Sequence, residues 1–232
     1  QKDRNHPIKC KRPIASGALS IPLAISMMIF MAAATFFLSY LVNFGFLAMI
    51  AFYLVMTGAY TLSLKHVLIV DVLIVALGFV VRAMAGAVAL NVSFSNWLVV
   101  CTLFLSLFLA LSKRRHEVQL LTDDASHHRH VLGEYTVAYL DSMILIVAGA
   151  TLITYTIYTC SPEVVARIGT DKLYFTLPLV VYGLFRYLYL IHLKLGGGDP
   201  SSTLIKDKHL AVTVILWAVT CIAIIYSGKL FS

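Results

Sequence analysis

Residues 13–64 read PIASGALSIPLAISMMIFMAAATFFLSYLVNFGFLAMIAFYLVMTGAYTLSL and contain no Asp, Glu, Lys, Arg or His. A helix needs about 20 mostly apolar residues to cross the hydrocarbon core of a bilayer. This stretch is too long for one such helix, and Asn43-Phe44-Gly45 supplies turn residues between two. Ser20 before Ile21-Pro22 has the form of a helix N-cap followed by proline in the first turn. Working outward gives seven candidate spans: 20–42, 45–62, 68–90, 95–112, 136–159, 173–192 and 209–228. The expected fold class is all-α, a polytopic membrane helical bundle.

Composition points the same way. Of 232 residues, 60% are hydrophobic and only 12% charged, and mean hydropathy is +0.88. A soluble domain carries about 25% charged residues. A water-soluble enzyme, a nucleic-acid-binding domain and a disordered regulator are thereby excluded. The net charge of +7 reads as basic membrane flanks, so the expected surroundings are a lipid bilayer and no nucleic acid. Cys10, Cys101, Cys160 and Cys221 lie far apart and form no CxxC, so no disulfide framework is expected.

Seven spans put alternate loops on opposite faces. Residues 1–13, 63–67, 113–134 and 193–208 hold thirteen of the 18 Lys and Arg. The other face holds Arg167, Lys172 and Lys229, while Arg82 and Arg186 fall within spans. The positive-inside rule makes the basic face cytoplasmic. Asp3, Asp71, Glu117, Asp123, Asp124, Glu134, Asp141, Asp199 and Asp207 lie in or near the same face, and only Glu163 and Asp171 lie opposite. Acids and bases gathered on one face suggest a polar site for an ionic ligand such as a metal–phosphate complex. Self-neutralising solvated loops are the alternative.

Three groups of residues could carry chemistry. At the start, Lys2-Asp3-Arg4-Asn5-His6-Pro7-Ile8-Lys9-Cys10-Lys11-Arg12-Pro13 places five cations and one acid before a span. Its cations could clamp a diphosphate and Asp3 could hold Mg²⁺; a lipid-surface anchor is the alternative. Next, Tyr60 and Lys65 precede Asp71 and Arg82, which are eleven residues apart and share one helix face, about 16 Å apart along it. An arginine so deep costs roughly 2.5–3.5 kcal/mol on insertion scales, so Arg82 should face a cavity, an acid or an anionic substrate. Gly78 and Gly86 read as packing sites. Third, Lys113-Arg114-Arg115-His116-Glu117 closes the fourth span, with Lys113 and Glu117 as i,i+4 neighbours. Arg186 with Tyr182 and Tyr189 forms a further face, suited to a phosphate or to snorkelling. Asp207 reads as a helix-start acid. His127-His128-Arg129-His130 and Gly196-Gly197-Gly198 read as loop and connector.

The run DRNHPIKCKRPIASG, residues 3–17, resembles the downstream half of the first aspartate-rich motif of the UbiA superfamily of intramembrane prenyltransferases. That motif is NDxxDxxxD continuing into HPxKxxRPIASG. The resemblance implies nine spans, so the seven here would form a single domain over 1–232 whose first two helices and motif start are missing. Most members carry a second aspartate-rich motif where this chain has KRRHE, with Asp123-Asp124 further on. The order AYTLSLKH, RAMAGAVA, SKRRHE, LGEYTVAYL is similar to the phosphoribosyltransferase subgroup that acts on a polyprenyl (decaprenyl-like) phosphate.

That likeness implies a pentosyltransferase working on phosphoribosyl diphosphate and a polyprenyl phosphate lipid, with Mg²⁺ as cofactor. It implies a multi-pass protein of the bacterial inner membrane with its site facing the cytoplasm, and leaves a homo-oligomer open. Asp3 would hold Mg²⁺ and, with Glu117, serve catalysis. Lys9 and Arg12 would bind donor phosphates. Lys65, Lys113, Arg114 and Arg115 would bind phosphates of donor or acceptor, with Tyr60 and Arg186 also touching substrate. Glu117 would orient ribose hydroxyls or a metal-bound water, and Arg82 would close the cavity floor. A UbiA-type enzyme moving a prenyl chain from prenyl diphosphate to an aromatic acceptor is the alternative, and the missing second aspartate motif counts against it.

Overall fold

Long apolar runs without proline in their interiors satisfy their backbone groups internally only as helices. The computed structural model, which describes residues 13, 16–120, 133–193 and 199–230, is helical along each of them. Among the described residues there are nine helices and no strand. These are α1 (Ile21–Val42), α2 (Phe44–Leu62), α3 (Val70–Ala89), α4 (Asn96–Leu120), α5 (Val137–Cys160), α6 (Pro162–Ile168), α7 (Leu177–Leu193), α8 (Pro200–Lys206) and α9 (Lys208–Leu230). Seven segments are long and apolar enough to cross a membrane, within a few residues of expectation except at one end of the fourth. There α4 runs on through Lys113–Glu117, which form its last turns rather than a loop.

Two compact units divide the chain, residues 1–52 and 53–232. In the first, Ser20 has extended backbone and Pro22 lies in the first turn of α1. Asn43 ends that helix and its Oδ1 accepts the Phe46 N–H at 2.7 Å, opening α2. The large side chains of Met28, Phe30 and Phe37 on α1 are exposed, as for a helix surrounded by lipid.

In the second unit α3, α4, α5, α7 and α9 enclose a core that includes Val72, Phe108, Leu111, Ile144, Ile191 and Leu210. A Cβ on Gly78 would lie 3.6 Å from Met56 and Tyr53, so the end of α2 packs there, while nothing lies within 4 Å of that position on Gly86. Among the described residues nothing packs on Gly86, where its spacing had suggested a packing site. Two short helices were not expected. Ser161 caps α6 ahead of Pro162 and the left-handed Gly169 ends it. Asp199 caps α8 by accepting the Ser202 N–H ahead of Pro200.

Antiparallel alternation brings the start of α3, the end of α4, the start of α5 and the end of α7 together. Contacts Tyr135–Asp71, Arg114–Asp71, Arg115–Asp141 and Arg115–Ile191 O join these four ends. At the opposite end Arg167 donates to Ser93 O at 2.9 Å and pairs with Glu163 at 2.7 Å. The charged side chains lie mainly at the first end, and that end holds the candidate site.

Candidate active site at one end of the bundle

Two buried arginines organise this end. Arg114 and Arg115 are only 7% and 5% exposed. Successive residues on a helix point about 100° apart, so the pair serves two neighbours. Arg114 faces α3, with Nη2 2.6 Å from Asp71 Oδ2 and Nη1 2.5 Å from Glu117 Oε2. Arg115 faces α5 and α7. Its Nε pairs with Asp141, and its Nη1 donates to Gln119 and to Ile191 O, both at 2.8 Å. His192 brings Nε2 to 3.2 Å from Asp141. Arg115 takes both oxygens of Asp141, through Nε and Nη2, a two-pronged contact that a lysine could not make, while Arg114 divides its two Nη atoms between Asp71 and Glu117.

Asp71 is fully buried, and a carboxylate there survives only with partners. Its second partner is Tyr135, whose hydroxyl donates to Oδ1 at 2.8 Å. The same hydroxyl accepts the Ile69 N–H at 2.8 Å. Burial, reinforced by the Asp71 charge, pushes the Tyr135 phenol well above its ordinary pKa, so it stays protonated and able to donate. Ile69 has φ 69° and ψ −43°, and Val70 N–H reaches back to Leu68 O at 2.8 Å. That is a γ-turn of the strained kind. A β-branched residue at positive φ is a genuine outlier, costing of order 1–3 kcal/mol. The turn directly follows the short 3-10 segment Leu64–His66, which carries Lys65.

The remaining expected residues are placed as follows. Lys113 is exposed beside Arg114, and Lys65 and Tyr60 are half-buried. Glu117 is held by Arg114. Arg82 is exposed, takes Tyr53 Oη at 2.8 Å and lies over the rings of Phe79 and Tyr53 at 4.4 and 5.3 Å. Its partners are thus aromatic rather than acidic. Arg186 makes a two-pronged pair with Asp207, at 3.1 and 2.7 Å, and lies over Tyr189. Asp207 also accepts the Leu210 N–H at 2.9 Å, which makes it the helix-start acid its position suggested. The Arg186 fork holds its carboxyl far below the usual range, at about 2. Asp3, Lys9, Arg12, Asp123, Asp124, the 127–130 histidine run and Gly196–Gly198 lie outside the described residues.

A UbiA prenyltransferase family profile matches residues 1–204, most of the chain. The chain belongs to the UbiA prenyltransferase family. It is therefore a membrane-embedded transferase, of the helical fold that the nine helices display. Among relatives of this UbiA chain, a Mycolicibacterium smegmatis protein named decaprenyl-phosphate phosphoribosyltransferase is 30% identical over 231 residues, which cover 97% of this chain and 73% of that protein. A Corynebacterium glutamicum protein of the same name is 29% identical, with 100% and 70% covered. A Mycobacterium tuberculosis protein, again of that name, is 26% identical, with 98% and 74% covered.

Divalent-metal dependence is general in the UbiA family, which makes the donor set worth testing. Among the described residues no three His, Cys, Asp or Glu converge on one point. Asp71, Glu117 and Asp141 are each turned toward an arginine. The described residues alone do not fit a metal ion, and the carboxylates of Asp3, Asp123 and Asp124 lie outside them. Sequence reading did not find Tyr135, nor Asp71 and Asp141 as partners of the arginines. Tyr135 sits inside the LGEYTVAYL stretch, which marked the resemblance but gave no role to any one residue.

Proposed function

We propose that the chain transfers 5-phosphoribose from phosphoribosyl diphosphate to a polyprenyl phosphate of decaprenyl type, releasing diphosphate, at the cytoplasmic face of a bacterial inner membrane. One observation carries the reading: three relatives bearing the phosphoribosyltransferase name align along nearly the whole chain. The basic end of α4, where many family members place carboxylates, supports it. Phosphate-rich substrates call for cations there.

In the proposed reaction the bond from ribose C1 to the diphosphate oxygen breaks, and its electron pair leaves on diphosphate. A phosphate oxygen of the lipid forms the new bond to C1. That oxygen is already anionic, so no strong base has to remove a proton. Negative charge grows on the leaving diphosphate, and fixed cations aimed at it lower the barrier. Lys65, Lys113, Arg114 and Arg115 form the proposed basic rim, with direct contact falling to Lys113 because it is exposed. The two arginines, neutralised by Asp71, Glu117 and Asp141, hold the end of α4 in place beside Lys113 rather than add net positive charge. Glu117, held by Arg114, faces the ribose hydroxyls. Tyr60 and Arg82 line the approach of the lipid. Asp3, Lys9 and Arg12 are assigned to Mg²⁺–diphosphate. Arg186 receives no direct contact, since Asp207 occupies its fork.

The test is acceptor choice. Purified protein in lipid vesicles receives labelled phosphoribosyl diphosphate with a polyprenyl phosphate, or labelled prenyl diphosphate with an aromatic acid. Label entering the lipid extract only in the first mixture supports the proposal. Label entering the aromatic product only in the second replaces it with prenyl transfer.

A further inference from the structure

Building on that reading of the site, we propose that Tyr135 is a positioning residue: its hydroxyl fixes the turn that follows Lys65 against the end of α4 carrying Lys113. The hydroxyl sits between the turn and α3, and through Asp71 it reaches α4. It accepts from the strained Ile69 backbone and donates to Asp71, and Asp71 is paired with Arg114. Every member of that chain is buried or nearly so, with Tyr135 at 3%, Asp71 at 0% and Arg114 at 7% exposure.

Three features separate this from ordinary core packing. The backbone at Ile69 is in a conformation it would not choose by itself, and strained backbone persists only where its surroundings over-determine it. What over-determines it is a hydroxyl brought from 66 positions along the chain. And the restrained turn is not an arbitrary surface loop. It lies four residues after Lys65 and two before Asp71, so releasing it moves one side of the basic rim relative to the other. Phenylalanine at 135 would fill the same space, yet could neither accept from Ile69 nor donate to Asp71.

The experiment uses the full chain in lipid vesicles, with Tyr135→Phe, Lys113→Ala and, as control, Tyr139→Phe. Tyr139 stacks on Tyr135 at 6.4 Å but is exposed and has no place in the hydroxyl network. For Tyr135→Phe, amide exchange in a peptide covering 64–70 should quicken about tenfold, the effect of losing roughly one hydrogen bond. KM for phosphoribosyl diphosphate should rise about tenfold while kcat stays within roughly threefold, because charge is displaced but not removed. Tyr139→Phe should leave both readings at native values. Adding Ile69→Gly to Tyr135→Phe should recover most of the KM, since glycine takes positive φ without strain. If Tyr135→Phe alone does not assemble, exchange at 64–70 is compared between the double variant and Ile69→Gly, where the N–H at 69 still loses the Tyr135 hydroxyl and should exchange faster in the double variant.

Native exchange at 64–70 in Tyr135→Phe would overturn the proposal. So would faster exchange with an unchanged KM, provided that Lys113→Ala raises KM. A Lys113→Ala enzyme with native KM would instead remove the phosphate-rim reading, and the positioning role with it, while the exchange data would still report the turn.

Discussion

Replacing Asp71 by Asn keeps the side-chain volume and an oxygen for Tyr135, and removes one negative charge. That charge lies 2.6 Å from Arg114, and the two side chains are 0% and 8% exposed. Water cannot take its place. Glu117 remains 2.5 Å from the other arm of the guanidinium, but its side chain is 36% exposed and compensates only in part. Breaking a buried pair by removing one partner costs about 3–5 kcal/mol. With Glu117 retained, about 2–4 kcal/mol is expected. At about 2–4 °C per kcal/mol for a chain of this size, the melting midpoint in detergent should fall by roughly 5–15 °C. Arg114→Gln should cost a similar amount. The double variant should lose at least about 2 kcal/mol less than the sum, because neither charge is then left alone. Melting curves of the four proteins, read by the loss of the monodisperse peak, measure the cycle. A single-variant midpoint within about 2 °C of native, or strictly additive losses, would refute the buried pair as the organiser of this end.

Other outcomes follow from the same contacts. Arg186 lowers the Asp207 carboxyl from 3.8 to about 2, so its stabilisation is complete above about pH 4 and is lost as pH falls through about 2. Melting midpoint against pH should therefore drop more steeply in native protein than in Asp207→Asn over that window, and parallel curves would contradict the clasp. Lys113 and Lys172 are both exposed and belong to opposite faces by the charge split. In intact cells, and in a background lacking the native cysteines, an impermeant thiol reagent should modify Lys172→Cys and spare Lys113→Cys and Lys9→Cys. Modification at 113 from outside would reverse the orientation and with it the cytosolic donor.

The spans were legible because lipid leaves the sequence little choice. Residues 13–64 without a charge, split at Asn43, can only be two helices, and Asn43 is found capping the second. The length of α4 was not legible. Arg114 and Arg115 look like a solvated flank until Asp71 and Asp141 are seen to neutralise them, and those partners come from other helices. The two short helices had local signatures, Ser161-Pro162 and Asp199-Pro200, that a span-length window passes over. Within the candidate site, the cations could be proposed from the sequence by their type and their end of the bundle alone. Which of them is free to meet a phosphate depends on burial. That is why Lys113 now stands apart from its arginine neighbours, and why Arg186, clasped by Asp207, recedes. Tyr135 had no signal of its own: a phenol one residue before a helix cap is ordinary until its hydroxyl is placed between Ile69 and Asp71.

The central claim is tested most directly by following two labels through one turnover. Purified protein in vesicles containing a polyprenyl phosphate is given phosphoribosyl diphosphate labelled with carbon in the ribose and with phosphorus in the terminal phosphate of the diphosphate. The account predicts that the carbon label enters the lipid extract while the phosphorus label appears in water as diphosphate, in equal amounts. Carbon label confined to the aqueous phase, or both labels together in the lipid, would contradict it.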